Sequence, residues 1–242
     1  MISRTYSIEP EVFDLAPDFC RGVVIASSVN NAAPQNANLE QKFRDLIASV
    51  GHDTTLSLHH NRIAAWRKLY KNLGLNDIQP SIAALVRRIK NGRGGDIPFI
   101  SPLVCISNLV SLSFLVPSGL VDAAAVKGNF VLGRAQGNEI FEPIGGTGSN
   151  LISRGEVIYY DSATRNVMCR GLNSRGGKVT RIQPETSRVV IDVDALLSVI
   201  SEEEWHQAVN LVSDLVQQHC GASTTVQFLS KNNMSIELPP NE

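Results

Sequence analysis

The sequence predicts an α+β fold, in which early helices pack on a mixed or antiparallel sheet, with an N-terminal α/β extension. Two observations support this class. Apolar residues recur at helical spacing in segments 39–50, 62–90 and 103–115. From residue 127 onward, short β-branched segments separated by glycine-rich turns replace the helical pattern. Helices gathered early and strands gathered late are typical of α+β proteins.

The boundaries of each element follow from local signals. The first predicted strand, 20–26, is short, β-branched and preceded by Pro17. Gly51 closes the helix at 39–50, and Pro117 ends the helix at 103–115. A capping box at 201–204 opens a last helix that runs to 220. The remaining predicted strands are 129–134, 156–161, 166–170, 188–192, 224–229 and 234–238.

The length of 242 residues allows one large domain or two small ones. We divide the chain into three parts. Residues 1–60 form the N-terminal extension, which we expect to pack on the core. Residues 61–225 form the central domain, and residues 226–242 a C-terminal strand pair and tail.

The composition is that of an ordinary globular protein, with 43% hydrophobic and 19% charged residues. The four cysteines are far apart and lack metal-ligand spacing, so we expect free thiols, a reducing compartment and no metal site. The N-terminus has no signal-peptide pattern. The longest apolar segment, about 14 residues from 103 to 116, is interrupted by polar residues and is too short to span a bilayer. We therefore expect a cytoplasmic protein without a membrane partner.

Basic charge is concentrated between residues 62 and 93. This segment holds eight Lys or Arg residues against one acid, although the whole chain carries a net charge of −1. Such a cluster is what a polyphosphate partner requires, and Arg67, Arg87 and Arg88 belong to it. The alternative is a pair of amphipathic helices with solvated basic faces. Trp66, on the side of its helix opposite the cations, is predicted to lie in the core.

The common catalytic signatures are absent from the sequence, including the nucleophile elbow, the zinc-protease motif and the P-loop. Several polar residues nevertheless interrupt apolar elements or lie in loops between strands, where they could converge on a cleft. Each has a simpler alternative, such as a helix kink, turn chemistry or a surface ion pair. These candidates are Asn108, Ser111, Glu156, Asn173, Arg175, Thr180 and Thr186.

Six segments, in this order, resemble the stand-alone B3/4 domain proteins, which are relatives of the editing domain of the bacterial phenylalanyl-tRNA synthetase β subunit. The resemblance covers roughly residues 62–222, and each motif alone is weak. The segments are Arg62–Arg67, Pro80–Arg88, Leu103–Leu112, Pro117–Asp122, Gly155–Asp161 and Cys169–Arg175.

The resemblance implies a B3/4-type editing fold and hydrolysis of a mischarged aminoacyl-tRNA in trans, without ligase activity and without a cofactor or metal. Tyrosyl-tRNA-Phe and canavanyl-tRNA-Arg are the candidate substrates. It further implies a catalytic or substrate-contacting role for Glu156, Asn173 and Arg175, and a pocket wall that includes Asn108, Ser111, Thr180 and Thr186. It also implies RNA-backbone contacts, for which Arg67, Arg87 and Arg88 are the candidates. Two alternatives stay open: a non-catalytic tRNA-binding protein, and a domain that binds a free amino acid or related metabolite.

Overall fold

The computed structural model describes residues 4–32, 36–93, 97–146 and 150–239. In these residues the helices are close to the predicted ones, with the addition of a short helix near the N-terminus. An irregular π-helical turn, Ile89–Arg93, follows the fourth helix. The α-helices are α1 (Pro10–Leu15), α2 (Ala37–His52), α3 (Asn61–Asn72), α4 (Ser81–Arg88), α5 (Pro102–Phe114) and α6 (Glu202–Cys220).

The strands belong to three sheets. They are β1 (Arg4–Ile8), β2 (Phe19–Ser27), β3 (Ser118–Asp122), β4 (Phe130–Arg134), β5 (Ile140–Phe141), β6 (Asn150–Leu151), β7 (Val157–Asp161), β8 (Val167–Arg170), β9 (Arg175–Gly176), β10 (Val189–Leu196), β11 (Ser223–Leu229) and β12 (Ser235–Leu238). The six-stranded sheet has the order β12-β1-β4-β7-β8-β9, and the four-stranded sheet has the order β11-β2-β10-β3.

The predicted fold class is confirmed. In the six-stranded sheet β1 and β4 run parallel, and its other neighbours are antiparallel. The four-stranded sheet is antiparallel throughout. Helix α6 packs on the four-stranded sheet and on α5. In the described residues the protein is thus α+β, with a mixed six-stranded sheet and antiparallel sheets of four and two strands.

The N-terminal segment is built into both sheets. Strand β1, which the sequence pattern did not predict, lies between β12 and β4, and β2 lies between β11 and β10. Residues 4–27 therefore supply an interior strand to each sheet. The two C-terminal strands belong to different sheets, because β11 pairs with β2 whereas β12 pairs with β1. Residues 240–242 of the predicted tail lie outside the described ranges.

One glycine sets the distance between α6 and the four-stranded sheet. A Cβ atom at Gly22 on β2 would lie 2.2 Å from a methyl carbon of Val209 on α6, well inside van der Waals contact. Only glycine allows the helix to approach this closely. The prediction for Trp66 is confirmed as well, since its ring is buried and meets the Phe19 ring edge-on at 6.3 Å.

In the part of the chain that the structure describes, no helix is long and apolar enough to cross a membrane.

Candidate functional site

A cavity of about 310 Å³ opens where the two sheets, α5 and the loop that follows β8 meet. Its buried end is formed by charged and phenolic side chains of the strands, and its open end is bordered by Ile100 and Ile144, which are 67% and 56% exposed. The lining residues used below are Arg21, Val104, Ser107, Asn108, Ser118, Gly119, Leu120, Tyr159, Met168, Cys169, Asn173, Asp192 and Asp194.

The buried end is organised by an arginine on β2 and two aspartates on β10. Asp192 and Asp194 are two residues apart on one strand, so both side chains project from the same face of the sheet. Arg21 donates to Asp194 through Nε at 2.5 Å and through Nη2 at 2.7 Å. These two parallel hydrogen bonds give the geometry in which arginine binds a carboxylate most strongly.

Asp192 is held less completely than Asp194. Its Oδ1 accepts a hydrogen bond from the Tyr6 hydroxyl at 3.0 Å, and that hydroxyl accepts one from Arg21 Nη1 at 2.7 Å. Asp192 Oδ2 lies 3.8 Å from Arg21 Nη1, which is too far for a hydrogen bond. Burial raises the pKa of Asp192 to about 7, although Arg21 opposes the shift.

A turn from Gly171 to Ser174 closes one side of the cavity and is hydrogen-bonded to helix α3. The Tyr70 hydroxyl on α3 donates to the Gly171 carbonyl and accepts from the Asn173 backbone N–H at 3.2 Å. Asn173 Nδ2 donates to Asp194 Oδ2 at 2.8 Å. Leu172 has a φ of +66°, a left-handed conformation that is unfavourable for a side-chain-bearing residue. These hydrogen bonds stabilise the turn in this unfavourable conformation.

The walls between the two ends combine apolar and neutral polar groups. Ser107 donates to the Ser118 hydroxyl at 2.8 Å. The side chain of Asn108, which is half-buried on the same turn of α5, makes no hydrogen bond with the residues that the structure describes. Burial raises the pKa of the Cys169 thiol to about 12, so this thiol is protonated at neutral pH and is a weak nucleophile. Asn108 is therefore a wall group with free hydrogen-bonding capacity.

The structure brings two of the predicted site residues, Asn108 and Asn173, to this cavity. Ser111 is buried instead at the end of α5, where it donates to the Val116 carbonyl at 2.5 Å. Thr186 donates to Asp122 Oδ2 at 2.7 Å, and the Thr180 carbonyl accepts from the Asp122 backbone N–H at 3.0 Å. These three residues stabilise the surrounding backbone and do not line the cavity.

Glu156 and Arg175 also lie away from the cavity. Glu156 is buried in a separate cleft, where both carboxylate oxygens accept from Arg170, at 2.9 and 3.1 Å. That cleft also contains Arg134 and Arg154. Arg175 is exposed on β9, directly before Gly176, which does line the cavity. This bidentate ion pair connects Glu156 to Arg170 on β8, and it uses both carboxylate oxygens of Glu156.

The predicted RNA contacts lie on the outer surface of the helices. Arg67 on α3 is exposed and donates to the Leu58 carbonyl at 3.3 Å. Arg87 and Arg88 are exposed at the end of α4. Ser81, at the first turn of α4, borders the cavity, so this helix connects the basic surface with the site.

Sequence reasoning missed the four groups at the buried end: Arg21, Tyr159, Asp192 and Asp194. A usable signal existed in the strands themselves. Arg21 interrupts the apolar strand Cys20–Ala26, and two aspartates alternate with β-branched residues from Val189 to Ala195. Charged residues in strands that are otherwise apolar indicate a buried, paired network.

Comparisons with known proteins place this geometry in a family. The family model for the B3/4 domain matches residues 65–221. An N-terminal fragment of the phenylalanyl-tRNA synthetase β-subunit from Pyrococcus horikoshii is similar in structure, with 14% identity and a TM-score of 0.47, and the match covers 96% of this chain. It covers 53% of that fragment, so this chain spans about half of its length. A search of curated protein sequences found no match. Because the family model covers well over half of the residues, the chain belongs to the B3/4 domain family.

Proposed function

We propose that this protein is a trans-acting aminoacyl-tRNA deacylase, which hydrolyses the ester of a mischarged tRNA of the canavanyl-tRNA-Arg or tyrosyl-tRNA-Phe type. The observation that carries the proposal is the cavity, with its charged buried end and its neutral polar walls, in a B3/4 domain. Its volume of about 310 Å³ is at the lower limit of small-molecule sites, roughly 300–1,000 Å³. A cavity of that size accommodates an amino-acid side chain.

The chemistry requires no catalytic triad. An aminoacyl ester has a neighbouring ribose hydroxyl, so its hydrolysis needs mainly an oriented water, hydrogen-bond donors for the oxyanion and a pocket that selects the side chain. Asn108 is the wall amide with free donor capacity, and we assign it to the oxyanion or to the water. Asn173 is already bonded to Asp194, so we assign it to positioning the wall of the pocket.

The basic surface would hold the tRNA. In this proposal Arg67 and one of the neighbours Arg87 and Arg88 contact phosphates, and α4 leads from that surface to the cavity through Ser81. Each phosphate contact releases condensed counterions, so binding should weaken with salt. Because neighbouring residues on a helix are about 100° apart, we expect only one of Arg87 and Arg88 to face the RNA.

The test is a deacylation assay with a panel of mischarged tRNAs that includes both candidate substrates. We expect hydrolysis of at least one ester faster than in buffer, and a loss of about 100-fold for Asn108→Ala if its amide stabilises the oxyanion. Ser113→Ala, at an exposed position on the same helix, is the control and should retain full activity. If no ester is hydrolysed faster than in buffer, the deacylase proposal is wrong.

A second candidate is a domain that binds a free amino acid or a related metabolite. The observation that favours it is the absence of a reactive nucleophile among the described groups of the cavity, since the Cys169 thiol is held protonated. Such a protein would be stabilised against heat by its ligand and would not shift tRNA in a gel. A protein that shifts tRNA but leaves every ester intact would instead be a non-catalytic tRNA binder.

A further inference from the structure

The two aspartates of β10 differ in whether their carboxylate oxygens already accept hydrogen bonds. Asp194 accepts two hydrogen bonds from Arg21 and one from Asn173, which satisfies both of its oxygens. Asp192 accepts one, from Tyr6, and no described residue donates a hydrogen bond to its Oδ2. With both aspartates ionised, Arg21 neutralises one carboxylate and leaves one negative charge. The buried end of the cavity therefore offers an anionic acceptor.

Open space lies beside this acceptor. Gly119 on β3 is the register partner of Asp192 on β10, and a Cβ atom at Gly119 would meet nothing within 4 Å. The Tyr159 ring lines the same cavity, but its hydroxyl is buried and is not exposed to this open space. Asp192 Oδ2 therefore remains as a carboxylate oxygen that a ligand in the cavity can reach.

We infer that the buried end of the cavity is a subsite for a cationic N–H group, with Asp192 Oδ2 as its acceptor. This inference rests on the proposed function for its substrate: an aminoacyl group whose side chain ends in an ammonium or guanidinium. The ester must stay toward the open end, where the RNA is attached, so the tip of the side chain is the part that reaches Asp192.

The walls fit the rest of such a side chain. Val104, Leu120 and Met168 line the cavity between its two ends and present apolar surface to a methylene chain. A neutral phenol could donate one hydrogen bond to Asp192 but would leave the buried negative charge uncompensated, which is costly. Charge therefore favours a basic side chain over tyrosine in this subsite.

Binding of three amino-acid amides separates the possible roles of Asp192. L-argininamide, L-norleucinamide and L-tyrosinamide all carry the same α-amino group, and they differ at the side-chain end. We would measure their affinities by calorimetry at a pH roughly one unit above the Asp192 pKa of about 7. We expect argininamide to bind at least about tenfold more tightly than the other two.

Two variants and a control complete the test. Asp192→Asn should lower argininamide affinity about tenfold or more and leave norleucinamide unchanged. Gly119→Val should prevent argininamide from binding, because its side chain would fill the space beside Asp192. This variant changes no charge, so it tests the subsite even if Asp192→Asn folds poorly. Asp214→Asn makes the same charge change at an exposed position on α6 and should have no effect.

The inference is overturned if norleucinamide or tyrosinamide binds as tightly as argininamide, if no amide binds, or if Asp192→Asn weakens all three equally. The last result would assign Asp192 to the α-amino group. The outcome is independent of the deacylation assay. Binding of argininamide that depends on Asp192, without hydrolysis of any tRNA ester, would retain the subsite and remove the deacylase.

Discussion

Replacing Arg21 by methionine should lower the free energy of unfolding of this protein by much more than the loss of an exposed ion pair would. Arg21 connects three strands, because it donates from β2 to Asp194 on β10 and to the Tyr6 hydroxyl on β1. The side chains of Arg21 and Asp194 are each 2% exposed. Methionine keeps most of the volume but leaves Asp194 buried without its counter-ion. Asp192 also loses the cation 3.8 Å away.

The expected magnitude follows from burial. Removing one partner of a buried ion pair costs about 3–5 kcal/mol, because the remaining charge stays desolvated and uncompensated. For a protein of this size, each kcal/mol lowers the melting temperature by roughly 2–4 °C, so a decrease of roughly 6–20 °C is expected. Arg44→Met provides the control. Arg44 also lies 2.5 Å from a carboxylate, that of Glu40, but its side chain is 67% exposed, and such pairs contribute at most about 1 kcal/mol.

The assay is urea unfolding of the wild type and of both variants at several pH values. The loss of unfolding free energy for Arg21→Met should become smaller as the pH falls, because Arg21 lowers the pKa of Asp192 and the variant therefore takes up a proton on Asp192 at a higher pH than the wild type does. In the wild type burial raises the pKa of Asp192 to about 7, so this decrease in the loss should occur above pH 7 and be complete below it. Equal losses for the two arginine variants, or a loss independent of pH, would refute this reasoning.

Three further predictions test packing and binding. Gly22→Ala should destabilise the protein by about 1–3 kcal/mol in thermal melts, because its Cβ would overlap Val209, whereas Gly119→Ala should be nearly neutral. Trp66→Ala should cost about 3–5 kcal/mol through loss of core packing, and denaturant unfolding measures it. If Arg87 contacts a phosphate, Arg87→Ala should lower the salt slope of tRNA binding by about one unit, and an unchanged slope would exclude that contact.

The helices were predictable because their signal is local. The apolar stripe of α2, the capping box of α6 and the proline after α5 each lie within a few residues of the boundary that they determine. Strand β1 was not predictable in that way. It is five residues long and its partners are β4 and β12, more than 100 residues away in sequence. Its structure depends on neighbours that a local pattern does not contain.

The sequence predicted two of the residues that line the cavity. Asn108 interrupts the apolar helix α5, and Asn173 lies in a loop between strands; both line the cavity. Glu156, which directly precedes an apolar strand, instead pairs with Arg170 in another cleft. Arg21 and Asp194 are 173 residues apart, and neither could be assigned a role before the topology had placed their strands side by side.

The same arginine connects the stability of the fold with the chemistry of the cavity. Arg21 neutralises Asp194 completely, and Asp194 holds Asn173 and thereby the turn that closes the site. Arg21 Nη1 donates to Tyr6 and lies 3.8 Å from Asp192 Oδ2, so Arg21 leaves that oxygen without a hydrogen-bond donor. A second basic residue in the core would supply a donor to Asp192, but it would also fill the cavity. We conclude that the unsatisfied carboxylate is the part of the network that remains available to a ligand, and that its free-energy cost in the empty protein is recovered when a cation binds.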